Sequence, residues 1–170
     1  MKRSNNLYAQ MMFLNVGAAS DLPVESGDST SDRANAALNR FLNKAGVKES
    51  GVYLQEGSGL ARGDLLNADA VTQLLVYMRK HKDWPSFYAS LPEAGKDGTL
   101  SSRMKETVAE GNVRAKTGTL RFVYSLSGYA KTAGGEEVAF SILLNHFRTS
   151  SRWEARQAVD RLAVIICESP

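Results

Sequence analysis

The sequence predicts a mixed α/β fold of the α+β kind, in which an antiparallel sheet of about three strands is flanked by helices. Three segments in the final third have the composition and alternation of strands: residues 112–119, 122–131 and 136–146. The last two are joined across Gly134-Gly135, so the three strands should form an antiparallel meander. Segments in which apolar residues recur with helical spacing lie on both sides of this stretch.

Two helices are predicted in the first third of the chain. Apolar residues recur with helical spacing from Asn5 to Leu14, and Gly17 is a natural C-terminal cap. We expect this first helix to bury most of one face. The second helix follows several N-cap candidates at residues 28–31, ends at Gly46 and is the clearest amphipathic segment in the chain.

The middle of the chain predicts a short strand, a turn and a third helix. The strand covers residues 52–54 and leads into a Gly-rich turn at residues 56–60. Asn67 caps the third helix, which we expect to break before Pro85. Residues 92–111 have a weak apolar period and many turn residues, so we expect loops and one short helix there.

A final helix is predicted after the sheet. Ser151-Arg152-Trp153-Glu154 has the form of a capping box, in which the serine and the glutamate satisfy each other's backbone N–H groups. The apolar face of this helix packs most simply on the sheet. No repeat, low-complexity tract or linker divides the chain, so we expect a single partial domain over residues 1–170.

Composition excludes several classes of protein. The chain has 170 residues, of which 43% are hydrophobic and 23% charged, as in an ordinary soluble globular protein. Its net charge is +3 without a long basic stripe, so we expect no nucleic-acid partner. Its apolar stretches fall short of the roughly 20 residues that span a bilayer. A single cysteine, Cys167, rules out an internal disulfide and a Cys-based zinc cage, and we expect no metal and no cofactor.

Two short motifs are the candidates for chemistry. Ser4-Asn5-Asn6 begins the first predicted helix, and Lys116-Thr117-Gly118 lies on the first predicted strand. Each is weak alone, since Ser-x-Asn arises by chance in roughly every second or third chain of this length and Lys-Thr-Gly in about one of thirty. Their order is more specific. Lys-Arg-Ser-Asn-Asn-Leu-Tyr-Ala, Gly-Ser-Gly-Leu-Ala-Arg, Asp-Gly-Thr-Leu and Val-Arg-Ala-Lys-Thr-Gly-Thr-Leu follow one another and precede Ser127-Gly128-Tyr129.

This series of motifs resembles the class C low-molecular-mass penicillin-binding proteins, the D-alanyl-D-alanine carboxypeptidase/endopeptidase family, from Lys2 to about Phe147. The resemblance implies the C-terminal part of the penicillin-recognising serine transpeptidase/β-lactamase-like fold. It also implies a serine nucleophile that is activated by lysine rather than by histidine, which fits the presence of only two histidines.

The resemblance also implies roles for individual residues. Ser4 would relay a proton to the leaving amine, and Asn6 would hold the catalytic lysine and the substrate amide. Lys116 and Thr117 would bind the terminal carboxylate of a D-Ala-D-Ala stem peptide or of a β-lactam. The backbone N–H of Thr119 would form one half of the oxyanion hole.

The strand geometry restricts how these side chains can act together. Neighbours on a strand point to opposite faces, so Lys116 and Thr117 cannot both reach one ligand from the middle of a sheet. We therefore expect them on an edge strand that borders a groove. Gly118, without a side chain, would let the substrate approach the backbone closely.

The nucleophile motif of the family, Ser-x-x-Lys, stands upstream of Ser-x-Asn, and only three residues precede Ser4. We therefore expect this chain to be the C-terminal portion of a longer enzyme and to be inactive by itself. Ser102-Arg103-Met104-Lys105 matches the pattern, but it lies in the wrong order and its flanks look solvated, whereas a neutral lysine base needs desolvation.

The expected parent is thus a serine-type D-Ala-D-Ala carboxypeptidase/endopeptidase that hydrolyses peptidoglycan stem peptides outside the cytoplasmic membrane and binds β-lactams. Polar residues follow Met1-Lys2-Arg3, so we expect no export signal in this chain. Two alternatives stay open: a non-catalytic peptidoglycan-binding or structural fragment, and a β-lactamase relative. The apolar strand at residues 138–144 lacks covering strands, so we expect self-association through an uncovered sheet edge.

Overall fold

The computed structural model describes residues 1–23, 27–48, 51–147 and 151–170. These residues form two compact units. The sheet unit comprises Met1–Ser4 and Leu75–Pro170, and the helical unit comprises Asn5–Leu74. The expectation of a single partial domain over residues 1–170 stays a prediction. No helix in the described ranges is both long enough and apolar enough to cross a bilayer.

The sheet unit contains the predicted antiparallel meander. Its strands are β3 (Val113–Leu120), β4 (Val123–Lys131) and β5 (Glu137–Asn145), in the order β3-β4-β5. Each boundary lies within one residue of the prediction, and the mixed α/β fold class is confirmed. β3 is an edge strand of this sheet, as its proposed role requires.

One face of the sheet packs against the last helix, α5 (Arg152–Glu168), as the sequence predicts. Ser151 caps α5, and its side chain accepts a hydrogen bond from the backbone N–H of Glu154 at 3.3 Å. The buried apolar residues of α5 recur every four positions, so they form one stripe along the helix. That stripe and the sheet residues it covers share one core: Ala155, Val159, Ala163 and Cys167 from the helix, and Val113, Ala115, Tyr124, Leu126, Ala130 and Phe140 from the strands.

The opposite face of the sheet centres on Tyr129, which is 2% exposed. Its hydroxyl donates to the backbone carbonyl of Leu75 at 2.7 Å, and its ring lies edge-on to Trp84 with centroids 4.7 Å apart. Burial raises the pKa of the Tyr129 hydroxyl well above its usual value. Tyr129 is therefore a structural residue that joins the sheet to the chain around it.

The third predicted helix ends before Pro85, as the sequence predicts, and Pro85 lies in the first turn of the next helix. α3 (Ala68–Arg79) starts after Asn67, whose side chain accepts from the N–H of Ala70 at 2.8 Å. It ends five residues before α4 (Trp84–Ser90), which carries Pro85 in its first turn. A proline is tolerated there because the first N–H groups of a helix have no partner inside the helix. The short helix expected within residues 92–111 is the 3₁₀ helix Gly98–Leu100.

The helical unit is built on α1 (Asn6–Ala18) and α2 (Thr30–Lys44), with a small two-stranded sheet of β1 (Val52–Tyr53) and β2 (Leu65–Leu66). The prediction that α1 buries most of one face is wrong. Its buried residues are Phe13 and Gly17, while five large apolar side chains are exposed. α1 meets α2 where the absent side chain of Gly17 lets its backbone approach Thr30 and Ala34, so only the face with Phe13 and Gly17 is buried. The exposed side chains are Leu7, Tyr8, Met11, Met12 and Val16.

The Gly-rich turn after β1 folds around a carboxylate. Glu56 accepts hydrogen bonds from the backbone N–H groups of Ser58, Leu60 and Ala61 at 2.7 to 3.1 Å. Burial alone would raise the pKa of Glu56, but these hydrogen bonds outweigh it and lower the pKa to about 2. Gly57 in this turn leaves no room for a side chain, because a Cβ atom would lie 2.3 Å from that of Phe13.

Candidate active site

The two predicted motifs meet in the sheet unit through one hydrogen bond. The ammonium of Lys116 donates to the hydroxyl of Ser4 at 2.7 Å, although 112 residues separate them in the chain. The same ammonium donates to the backbone carbonyl of Thr117 at 2.5 Å. These contacts bend the lysine around the strand edge, which is how its side chain reaches the same region as its neighbour Thr117.

Ser4 is held in place by the residues just before it. Lys2 forms an ion pair and hydrogen bond with Asp97, and the backbone carbonyl of Lys2 lies where a side chain on Gly98 would stand. Gly98 has a φ of +57°, a conformation that glycine adopts without strain. The Asp-Gly-Thr-Leu motif therefore serves as the support for Ser4, with Leu100 anchored in the core.

The outer edge of β3 is paired only along its first half among the described residues. Pro92 accepts a hydrogen bond from the N–H of Ala115 at 3.0 Å, and Ala94 donates to Val113 at 2.9 Å. Backbone groups of alternate residues on an antiparallel strand point to the same edge, so the N–H groups of Thr117 and Thr119 also point outward. They lie beyond the end of this pairing, at an edge that a ligand could approach.

The side chains of Thr117 and Thr119 lie on the face of β3 that carries the α5 core, because they pair with Leu126 and Tyr124 of β4. The hydroxyl of Thr117 donates to that of Thr99 at 3.0 Å. Both threonines of β3 line a groove of about 490 Å³. The site thus has two connected parts: the Ser4–Lys116 pair at the strand edge and this hydroxyl-lined groove.

Burial lowers the pKa of Lys116. Desolvation lowers the pKa of its ammonium from the usual value of 10.5, because water no longer surrounds the charge fully. No carboxylate forms an ion pair with Lys116 among the described residues. The ammonium is consequently available to a carboxylate or an oxyanion of a ligand.

The remaining predicted site residues have different outcomes. Asn6 is the first residue of α1 and is exposed, and its role stays a prediction. Gly118 faces the hydroxyl of Ser125, which a Cβ atom would approach to 2.3 Å, and the close approach of substrate there stays a prediction. Ser102 and Lys105 are exposed residues in turns rather than on a helix, so they do not form a desolvated serine–lysine pair.

The sequence reasoning missed three contributors. Thr99 of the Asp-Gly-Thr-Leu motif contacts Thr117, and Lys2 anchors the segment before Ser4, although neither residue has a predicted role. Sequence reasoning also treated Arg103 only as part of a false motif, whereas its buried guanidinium is held by Asp160 of α5 at 2.5 Å. Motif order was a signal for Thr99. Nothing in the sequence pairs Arg103 with Asp160.

The fold and this arrangement define the class of the protein. The crystal structure of penicillin binding protein 4 (dacB) from Haemophilus influenzae, complexed with a novel beta-lactam, matches 99% of this chain with a TM-score of 0.86 at 30% identity, and the match covers 40% of that chain. The chain therefore has a penicillin-binding-protein fold. A profile of the D-Ala-D-Ala carboxypeptidase 3 (S13) family matches residues 1–165, so the chain belongs to that family.

Curated relatives agree with this assignment. The chain is 41% identical over 150 residues to a D-alanyl-D-alanine carboxypeptidase of Actinomadura sp. (strain R39), covering 85% of this chain and 27% of the relative. It is 32% identical over 151 residues to the D-alanyl-D-alanine carboxypeptidase DacB of Haemophilus influenzae, covering 88% of this chain and 31% of the relative. The chain thus spans about a third, or less, of the length of these relatives. The predicted resemblance is confirmed.

Proposed function

We propose that this chain is the C-terminal part of a serine-type D-Ala-D-Ala carboxypeptidase/endopeptidase, the parent enzyme. The parent enzyme hydrolyses peptidoglycan stem peptides outside the cytoplasmic membrane through an acyl-enzyme, and penicillin acylates the same site. The observation that carries the proposal is the hydrogen bond of 2.7 Å from Lys116 to Ser4, formed by two motifs of the family. The family match favours this function over the β-lactamase alternative.

The proposed proton path uses the direction of that hydrogen bond. Because Ser4 accepts from the ammonium of Lys116, the hydrogen of its own hydroxyl can be donated to another group. We assign that hydrogen to the leaving amine when the peptide bond breaks. The Ser4 oxygen then takes a proton from the lysine base, which holds the proton removed from the attacking serine, so Ser4 is the relay. The attacking serine and its lysine base belong to the Ser-x-x-Lys motif of the parent enzyme.

The proposed binding contacts follow from the edge of β3. Lys116 and the hydroxyl of Thr117, which turns its hydrogen from Thr99 to the ligand, bind the terminal carboxylate of the substrate. The outward N–H of Thr119 stabilises the oxyanion of the tetrahedral intermediate. Asn6 completes the set by holding the catalytic lysine and the substrate amide. The substrate would thus lie along the outer edge of β3 in the way that another strand would.

The first experiment measures intact mass after incubation with a penicillin, for the parent enzyme and for the 170-residue chain. We expect one adduct on the parent enzyme and none on the chain, because Ser102 and Lys105 are solvated and Ser4 is the proposed relay. In the parent enzyme, Ser4→Ala should slow hydrolysis of a D-Ala-D-Ala peptide about a hundredfold. Ser86→Ala, which changes an exposed serine of α4, is the matched control.

Two results would contradict the proposal. A stoichiometric adduct on the 170-residue chain, mapped to Ser4 or Ser102, would identify a nucleophile in this chain. A parent enzyme that is neither acylated nor able to hydrolyse the peptide would favour the alternative of a non-catalytic peptidoglycan-binding protein. That alternative would keep the carboxylate contacts of Lys116 and Thr117 without turnover.

A further inference from the structure

The groove beside Thr117 continues past the contacts assigned to the substrate carboxylate. Its lining includes the three threonine hydroxyls of the site, but neither Ser4 nor Lys116. A ligand group in this groove would therefore belong to the part of the substrate beyond the carboxylate that Thr117 holds. In a hydrolase that part is the leaving group.

Three arginines line the groove, and they differ in charge balance. Arg103 is buried and is neutralised by Asp160, with nitrogen–oxygen distances of 2.5 to 3.3 Å. Arg152 and Arg156 lie one turn apart on α5, are exposed, and form no ion pair with any described residue. No Asp or Glu of the described chain lines the groove. Two unbalanced positive charges thus border one end of the proposed active site.

The groove also offers an apolar surface. Trp153 lies in the lining and is 60% exposed, an unusual position for an indole in a folded domain. The arrangement of hydroxyls, an indole and two guanidinium groups suits a ligand with an aliphatic segment and a carboxylate at its end. A leaving D-alanine is too short to use these groups, because its single carboxylate is already held by Thr117 and Lys116.

We propose that Arg152 and Arg156 bind a second carboxylate on the leaving group and so direct the parent enzyme towards acidic leaving groups. The chemical class is an acidic peptide strand, such as the strand released from a peptidoglycan cross-link. The inference rests on the proposed function and adds to it the two residues that select the leaving group. Guanidinium groups bind carboxylates through paired, charge-assisted hydrogen bonds, which gives the preference its physical basis.

The test compares three peptides with the same acyl part in the parent enzyme. The first peptide ends in D-alanine. The second ends in D-2-aminopimelate, which carries a second carboxylate on an aliphatic side chain. The third ends in D-2-aminopimelate whose distal carboxylate is replaced by an amide. We expect the ratio of kcat/KM for the aminopimelate peptide to that for the D-alanine peptide to fall about tenfold in the double variant Arg152→Gln/Arg156→Gln. Arg161→Gln, an exposed arginine of α5 outside the groove lining, is the matched control and should leave the ratio unchanged.

The outcomes separate this inference from the proposed function. If the wild-type enzyme hydrolyses the D-alanine peptide but the double variant keeps the wild-type ratio, the inference fails and the proposed function stands. An equal loss on all three peptides would also overturn the inference, since it would indicate a general structural effect. Failure of the wild-type enzyme to hydrolyse any of the peptides would overturn the proposed function itself, and the inference with it.

Discussion

At the scale of single residues, Lys116 is a charged side chain in an environment that disfavours its charged form. The folded protein holds its ammonium at a lowered pKa because burial removes water from the charge. Between that lowered pKa and 10.5, the unfolded chain binds more protons than the folded one, so the stability contribution of Lys116 increases with pH there. Binding of an anionic ligand has the opposite dependence, since it needs the charged form.

The first prediction concerns pH. In the parent enzyme, kcat/KM should decrease on the alkaline side at a pH below 10.5, because it reports the ionisation of the free enzyme. Lys116→Arg should lower the rate at neutral pH and move this alkaline decrease upward, since arginine keeps its charge. Lys105→Arg changes an exposed lysine and should leave the profile as it is. An alkaline decrease at the same pH in Lys116→Arg would contradict the assignment.

The second prediction concerns the buried ion pair. Arg103 and Asp160 expose 9% and 11% of their side chains, so Asp160→Ala leaves an uncompensated charge in the core and should cost about 3 to 5 kcal/mol of unfolding free energy. Asp21→Ala breaks a solvent-exposed pair with Arg40 and should cost less than about 1 kcal/mol. Urea unfolding of the two variants measures the difference. Similar losses would show that burial does not determine the strength of these pairs.

At the scale of elements, the close approach of β3 to β4 depends on a glycine. A Cβ atom on Gly128 would stand 2.1 Å from the carbonyl oxygen of Arg114 and 2.6 Å from the Cα atom of Ala115. Both atoms belong to the backbone of β3, which cannot move without disturbing the strand that carries Lys116. Gly118 also lacks space, but its nearest neighbour is the hydroxyl of Ser125 at 2.3 Å, which can rotate away.

The third prediction compares these two glycines. Gly128→Ala should lower the free energy of unfolding by about 1 to 3 kcal/mol, the usual cost of overpacking, because backbone must shift. Gly118→Ala should cost less than about 1 kcal/mol, because a rotatable hydroxyl is the main obstacle. Urea unfolding of both variants tests the comparison. A larger loss for Gly118→Ala would mean that β3 yields more readily than Ser125.

The predictions of helices and strands are correct where short-range sequence patterns alone determine the structure. Strand boundaries and the caps at Asn67 and Ser151 follow from alternation and short-range hydrogen bonds, which the sequence displays directly. The buried face of α1 failed because apolar spacing shows which residues could be covered, not what covers them. The predicted end of α3 before Pro85 is correct, since proline cannot continue a helix but is tolerated in the first turn of the next one.

At the scale of the whole molecule, β5 is the second edge of the described sheet. Its residues are mostly apolar, and only one of its edges is paired within the described residues. An unpaired apolar edge offers backbone groups to a strand of another chain. Self-association thus stays a prediction with a defined surface.

The fourth prediction is that the 170-residue chain self-associates at micromolar concentration, as measured by light scattering. Leu143→Lys places a charge on β5 at a half-buried position outside the main core and should reduce the association. Met12→Lys removes one exposed apolar residue of α1 and should not. Association through the sheet edge would be contradicted if light scattering showed only monomer. It would also be contradicted if Met12→Lys dissociated the chain and Leu143→Lys did not.

The sequence by itself determined the α+β class, the three strands and the family, because alternation and capping are local properties of the chain and motif order can be read directly along it. It also identified Ser4, Lys116 and Thr117, but only as separate motifs. Tertiary structure alone decided that Lys116 donates to Ser4, that Thr99 meets Thr117, and that Arg152 and Arg156 border the same groove. These contacts join residues far apart in the chain, and their formation depends on how strands and helices pack. No local pattern encodes that packing.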